Sequence, residues 1–372
     1  MGAKRPVIVM DGRYGLREPR RGVGEYVYRL LTQLAFIPRP YDIHVYGDMA
    51  ADLDVVRKMS LLHKVELLMT PTFFTWEQMA FPQVLKEATL VHGTANIAPI
   101  VHRRPLILTV HDVIEWHRGK EVPGQIRWRH HLSRAYRMNS LKFLARRATT
   151  ILTVSEHAKA DLVKTLRLDP AIVRVTPLAP KYAVEMPVFP KEPYFLVLGA
   201  LDPRKNLIGA VKAFKRARLP QMTLKIVGVE PAGLSAVRSL IAAEGLGDRV
   251  TVSAMVSDDE LRTLYRQATG FLYVSYYEGF GLPILESLAA GCPVISSNRS
   301  VIPEVTGPGG LLVNPDRAEE IAQAMEKLAQ DPDLQQQLVT AGQQHAAQYS
   351  WKTTALLTHE AYLDALTALH AL

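Results

Sequence analysis

A single cysteine in 372 residues leaves the chain without an internal disulfide framework and fits a reducing compartment. Long apolar runs are missing as well. After Lys4 and Arg5 the first run is Val7 to Met10, too short for a signal peptide, and no stretch is long enough to span a bilayer. The twelve histidines form no His-x3-His or His-Glu-x-x-His arrangement, and the neighbours His130 and His131 would point apart on a helix. No metal site is implied. The glycine-rich turns lack a Walker lysine and a third glycine at dinucleotide-fold spacing, which weakens a P-loop or NAD reading. Low-complexity segments are absent too, so a packed and soluble protein is expected, in the cytoplasm.

What is present is length for two ordinary domains and a regular alternation of strand and helix patterns. Strands are expected at Val7–Met10, Ile43–Tyr46, Val65–Leu68, Leu90–His92, Leu106–Val110, Ile151–Val154 and Ile172–Val175. In the second half they are expected at Tyr194–Leu198, Leu224–Val227, Val250–Val252, Phe271–Val274, Val294–Ser296 and Leu311–Val313. Continuously apolar strands separated by helices mean parallel sheets covered on both faces. Five prolines from Pro177 to Pro193 mark a linker. The fold class is therefore α/β with two doubly wound Rossmann-like domains, 1–184 and 185–348, followed by a helical segment, 349–372.

The formal charge of +8 is concentrated: Arg118 to Arg147 holds nine Lys/Arg against one acid, Glu121. Trp128, Leu132, Tyr136, Leu141 and Phe143 lie in the same stretch. At helical spacing this predicts a basic face beside an apolar one, suited to an anionic membrane surface. Without a recognised binding motif, the charge does not point to nucleic acid.

Three glycine turns carry candidate chemistry. Glu278-Gly279-Phe280-Gly281-Leu282-Pro283-Ile284-Leu285-Glu286 runs from a strand into a helix. Such a turn presents unpaired N–H groups and a positive helix end to an anion, while carboxylates accept hydrogen bonds from hydroxyls. Together they suit a phosphorylated, sugar-like ligand. Gly199-Ala200-Leu201-Asp202-Pro203-Arg204-Lys205-Asn206 follows another strand, and its guanidinium fork and point-charge amine can neutralise two phosphates. In the first half Gly22 and Gly24 open an amphipathic helix, and Arg13, Arg17, Arg20 and Arg21 in the same loop add charge for a diphosphate or an anionic acceptor.

The Glu-x7-Glu run with Gly-Phe-Gly-Leu-Pro inside it resembles the signature of retaining glycosyltransferases of the GT-B fold, especially family 4. The resemblance extends from Gly22 to Trp351. It implies two domains facing across a cleft, with the C-terminal helix crossing back to the first. It also implies a nucleoside diphosphate sugar as donor, a glycan or lipid-linked hydroxyl as acceptor, and no metal or cofactor. On that resemblance Arg204 and Lys205 hold the diphosphate, Glu286 the ribose and Glu278 the hexose. Gly279, Phe280, Gly281 and Leu282 supply backbone N–H groups, and Gly22 and Gly24 lie over the phosphates. His111 stands beside the donor sugar, with Asp112, Arg21 and Ser155 on the acceptor side; Ser155 is equally a helix cap. The local motifs look most like bacterial mannosyltransferases of polysaccharide assembly, which makes GDP-mannose the leading donor and a peripheral site on the inner membrane face the expected location. A GT-B nucleotide-sugar epimerase and a non-catalytic sugar-nucleotide-binding subunit are the alternatives. Asp331-Pro332-Asp333 has the spacing of a metal-binding D-x-D motif but sits between helices, where it reads as a cap. Cys292 reads as a small buried hydrophobe.

Overall fold

The computed structural model describes residues 5–70, 72–117, 119, 122–123, 131–184 and 190–370, which fall into two compact units. Among them the first unit takes 5–70, 72–116, 131–178 and 350–370, and the second takes 117, 119, 122–123, 179–184 and 190–349. The domain join expected at 184 and 185 lies at the edge of the described residues, which resume at 190.

The first unit is built on seven parallel strands: β1 Val7–Asp11, β2 Asp42–Asp48, β3 Lys64–Leu68, β4 Leu90–Gly93, β5 Leu106–Val110, β6 Thr150–Thr153 and β7 Val173–Val175. The second has six: β8 Glu192–Leu198, β9 Thr223–Val227, β10 Val250–Val252, β11 Ala268–Tyr273, β12 Val294–Ser297 and β13 Gly310–Val313. Every strand read from the sequence is there, because β-branched runs such as Val7-Ile8-Val9 bury both faces under helices.

The strand orders are β3-β2-β1-β4-β5-β6-β7 and β10-β9-β8-β11-β12-β13. Each order reverses once, between β1 and β4 and between β8 and β11. At such a reversal the helices leave to opposite faces and a crevice opens at the strands' carboxyl ends, where open α/β sheets bind ligands. Gly12 and Gly199 each follow the first strand of their sheet. Gly12 N donates to Tyr46 O at 2.8 Å and Gly199 N to Val227 O at 2.7 Å. A Cβ on Gly199 would sit 2.3 Å from Val229 Cγ2, so only glycine lets the chain turn this tightly off the sheet.

Helix Trp351–Ala368 begins at Ser350, whose Oγ accepts from Thr353 N, and packs on helix Val23–Leu34 in the first unit. A buried hydrogen-bond chain fixes it. Tyr362 OH meets His92 Nδ1 at 2.6 Å, His92 Nε2 meets Thr109 Oγ1 at 2.8 Å, and Thr109 Oγ1 meets Tyr26 OH at 2.9 Å. All four residues are fully buried.

One expectation is corrected. Much of the basic stretch before residue 131 lies outside the described residues, and helix His131–Arg147 does not divide into a basic and an apolar face. Arg134 is buried with its Nε 3.2 Å from Glu115 Oε2, whereas Leu132 and Phe143 are exposed. A carboxylate just after β5 draws that cation to the inner side of the helix. No described helix is long and apolar enough to cross a membrane.

Tyr362→Phe keeps the ring and removes the hydroxyl, leaving a buried imidazole nitrogen unsatisfied. It should lower stability by about 1–3 kcal/mol in urea unfolding. An unchanged midpoint would show that the chain from Tyr362 to Tyr26 contributes little to docking of the last helix.

Candidate functional site

In the second unit the loops after β8 and β11 flank the strand reversal. Asp202 starts the first of them: its Oδ1 accepts from Arg204 N at 3.0 Å and opens the short 3-10 turn Pro203–Lys205. Asn206 closes that turn in the left-handed conformation, with φ 53°. Its Nδ2 donates to Val274 O at 3.2 Å and Pro315 O at 2.8 Å, so the basic turn is fixed to the end of β11. Tyr276 N donates to Arg204 O at 2.8 Å, a second stitch between the two loops.

The charged groups converge on Glu278. Lys205 Nζ lies 2.7 Å from Glu278 Oε1 and donates to Tyr273 OH at 3.3 Å. Arg204 Nη1 lies 3.5 Å from Glu278 Oε2 and donates to Tyr277 O at 3.2 Å, while its Nη2 lies 3.2 Å from Asp202 Oδ2. Burial works against the Arg204 charge, but Glu278 and Asp202 outweigh it and raise its pKa. Ser300 holds the Glu278 backbone, accepting from Glu278 N at 3.3 Å and donating to Glu278 O at 2.9 Å.

Gly281, at φ 103°, is the N-cap of helix Leu282–Ala289, and Pro283 occupies a first-turn position that needs no N–H donor. The helix start therefore offers N–H groups beside the two cations. Glu286 is buried on this helix. The phenols of Tyr182 and Tyr265 are pushed above their usual range, first by burial and then by the charge of Glu286. The arrangement can hold an anion against Arg204, Lys205 and the helix end, with two carboxylates placed to accept from hydroxyls.

The first unit carries its own set. Gly22, at φ 47°, caps helix Val23–Leu34, and a Cβ on Gly24 would lie 2.8 Å from Tyr14 O. The loop arginines depart from expectation. Arg13 is fully buried, 2.7 Å from Asp11 Oδ2 and 3.2 Å from Glu77 Oε1, with its guanidinium 3.9 Å from the Trp76 ring centre. Arg17 pairs with Asp48, and Arg20 lies 2.6 Å from Glu18 Oε1 and stacks over Tyr28. These three charges are matched inside the unit, whereas Arg21 is exposed.

His111 is buried, its Nε2 3.0 Å from Thr94 O and its ring edge-on to Tyr26. A carbonyl only accepts, so Nε2 carries the proton and Nδ1 the lone pair. Burial lowers its pKa to about 4, with the Thr94 bond opposing, so the ring is neutral at neutral pH. Asp112 Oδ1 accepts from Ile114 N at 3.1 Å. Ser155 is fully buried and its Oγ accepts from Ala158 N at 2.9 Å, so this hydroxyl is a helix cap. Asp331 likewise caps helix Pro332–Ala346.

Sequence reasoning passed over Asn96, Tyr273 and Ser300. Asn96 is left-handed at φ 62°, and its Oδ1 accepts from His111 N at 2.7 Å. An asparagine just past a strand end was the available signal, since Asn tolerates that conformation.

Comparison with known proteins follows the same division of the chain. Residues 181–345 match the family described as "Glycosyl transferases group 1", and residues 20–179 match "Glycosyltransferase Family 4". The O-antigen chain mannosyltransferase B of Escherichia coli is 27% identical across 93% of this chain and 97% of its own. The MMP alpha-(1->4)-mannosyltransferase of Mycolicibacterium hassiacum is 31% identical across 72% of this chain and 67% of its own. Among solved structures, sucrose-phosphate synthase from Thermosynechococcus elongatus superposes with a TM-score of 0.74 at 21% identity, covering 98% of this chain and 100% of that one. Anabaena Alr3699/HepE in complex with UDP gives 0.73 at 17% identity, covering 96% and 100%.

Burial lowers the pKa of His111 to about 4 and of His92 to about 3, both from 6.5. Between those values the unfolded chain binds the protons and the folded one does not, so stability is present above pH 6.5 and is lost as pH falls towards 4 and 3. Urea midpoints measured down this range should fall. His111→Asn should flatten the slope, and a slope identical to wild type would contradict a neutral buried His111.

Proposed function

Because the chain belongs to the group 1 glycosyltransferases of family 4, and so is a glycosyltransferase of two parallel-sheet domains, we propose that it moves a mannosyl group from GDP-mannose to a hydroxyl of a glycan or lipid-linked acceptor, with retention at the anomeric carbon. The observation that carries this reading is the meeting of Arg204, Lys205 and Glu278 at the β8–β11 reversal. The curated relatives named as mannosyltransferases support mannose as the sugar. A UDP-sugar donor is the second reading, favoured by the UDP bound in the Anabaena structure.

In this reading the diphosphate lies against Arg204 and Lys205 and the start of helix Leu282–Ala289. Glu286 accepts from the ribose hydroxyls, Glu278 faces the hexose, and the N–H groups of Gly279, Phe280, Gly281 and Leu282 complete the cradle. Negative charge grows on the β-phosphate as the bond from the anomeric carbon to its oxygen breaks. Fixed cations therefore stabilise the transition state more than the ground state. The acceptor oxygen bonds to the anomeric carbon on the face the phosphate is leaving, and its proton passes to the departing β-phosphate oxygen. Glu278 is an unpromising nucleophile for double displacement, since two cations already hold its oxygens. Arg204 and Lys205 carry the phosphate charge, so the reading requires no metal. Gly22, Gly24, Arg21, Asp112 and the neutral His111 are assigned to the first unit's share of donor and acceptor binding. Ser155 stays with capping.

A thermal-shift panel of GDP-, UDP- and ADP-sugars should show the largest stabilisation with GDP-mannose. Arg204→Ala with Lys205→Ala should lower kcat about 100-fold or more at unchanged circular dichroism. Glu286→Gln should weaken donor binding about tenfold or more. Wild-type turnover in the double variant would reject the diphosphate assignment, and an inverted anomer in the product would reject retention.

A further inference from the structure

In the second unit three side chains meet on a single carboxylate. Lys205 Nζ lies 2.7 Å from Glu278 Oε1, and Arg204 Nη1 lies 3.5 Å from Glu278 Oε2. Tyr273, buried at the end of β11, is the third. Its hydroxyl accepts from Lys205 Nζ at 3.3 Å and donates to the Glu278 carboxylate. Burial, and then the charge of Glu278 and this hydrogen bond, push the phenol well above its usual range. A Cβ on Gly281 would stand 3.9 Å from Tyr273 Cε1, so the ring lies beside the helix start assigned to the phosphates. Ser300 bonds the backbone of Glu278, which fixes the residue but leaves its carboxylate to Lys205, Arg204 and Tyr273 among the described residues.

An ammonium has three N–H donors. Lys205 commits one to Glu278 and one to Tyr273, which leaves one. Arg204 commits its Nε and one N–H of Nη2 to Asp202, and one N–H of Nη1 to Tyr277 O. A diphosphate presents several charged oxygens, so it needs the donors that face Glu278. It also sets like charge beside that carboxylate, which repels it. An arriving diphosphate and Glu278 therefore compete for the same two cations. The Glu278 side chain is only 8% exposed, and a buried carboxylate stripped of its cations is strongly disfavoured unless hydrogen bonds replace them. Tyr273 supplies one replacement. The hydroxyls of a hexose supply others in an intact donor, whereas a spent nucleoside diphosphate has no sugar to offer.

We propose that Glu278 is an internal competitor for the diphosphate, and that Tyr273 is the positioning residue that keeps its carboxylate turned to the sugar while the cations are engaged. The site then holds the intact donor in preference to the spent nucleoside diphosphate. Once the sugar has left, Glu278 reclaims Lys205 and Arg204 and helps to expel the product, a step that limits turnover in many enzymes. With Tyr273 on one oxygen, the carboxylate stays an unpromising nucleophile throughout. This preference rests on the transferase reading above, which puts the sugar beside Glu278.

Titration calorimetry of the full chain with GDP against GDP-mannose, and with UDP against UDP-glucose, reads the preference as a ratio of dissociation constants. Glu278→Gln keeps the side chain's shape and removes its charge, so the nucleoside diphosphate alone should bind about tenfold tighter. The ratio should fall by at least that factor, and product inhibition by the diphosphate should deepen. Tyr273→Phe should act from the other side. The sugar nucleotide should bind about tenfold more weakly, while the diphosphate alone changes by less than about twofold. A merely structural hydroxyl would weaken both ligands together, so the unequal change is the diagnostic result. Circular dichroism checks that each variant is folded, and Glu278→Gln decides alone if Tyr273→Phe is not. A wild-type ratio in either folded variant, or weaker diphosphate binding by Glu278→Gln, overturns the proposal and leaves the transferase reading standing. A wild-type chain that binds neither pair of ligands overturns both.

Discussion

The contact between Lys205 and Glu278 governs the second unit's site. It fastens the loop after β8 to the loop after β11 across the one place where the sheet changes direction, with a separation of 2.7 Å. Arg204 and Asp202 extend it into a cluster of two cations and two anions. The formal charges cancel, so the cluster exerts little net pull on a distant anion. What it offers is placement: the cations are held by Asn206, Tyr273 and Tyr277 before any ligand arrives. A preorganised site stabilises charge that develops during a reaction without reorganising at that moment. The helix beginning at Leu282 adds what the cluster lacks, uncommitted N–H groups at a positive end.

The first unit uses its charges differently. Arg13 is buried against two carboxylates and sandwiched by aromatic rings, an arrangement that fixes the loop's shape. Removing one partner of such a pair leaves a buried charge uncompensated, which costs far more than the pair contributes. The glycines of that loop are thus presented by a rigid frame, while His111 is kept neutral and oriented by Thr94 and Asn96. One unit holds charge at the mouth of its strands, and the other hides it beneath them.

Much of this was legible in the chain. The strands announced themselves through short β-branched runs, and the turns through glycine and proline at positions with a steric reason. Glu278 and Lys205 were legible as a pair of motifs, though their direct contact was not. What the sequence hid were pairings between distant segments. Arg13 reads as an exposed loop cation until Glu77, 64 residues later, is folded against it. Arg134 reads as part of a basic face until Glu115 turns it inward. Periodicity reports the faces of one element and is blind to surfaces shared by two.

The buried chain from Tyr362 to Tyr26 has a practical corollary for anyone handling this protein. Leu369 and His370 lie beyond the last anchored turn and are exposed, so substitutions there should disturb little. Trimming back a further two turns is another matter, because the cut would excise a plug seated under the first sheet and flood His92 with solvent. Helix Trp351–Ala368 is thus a keystone for the first unit, and deletions that cut into it should register as collapse long before they reveal anything about sugar transfer.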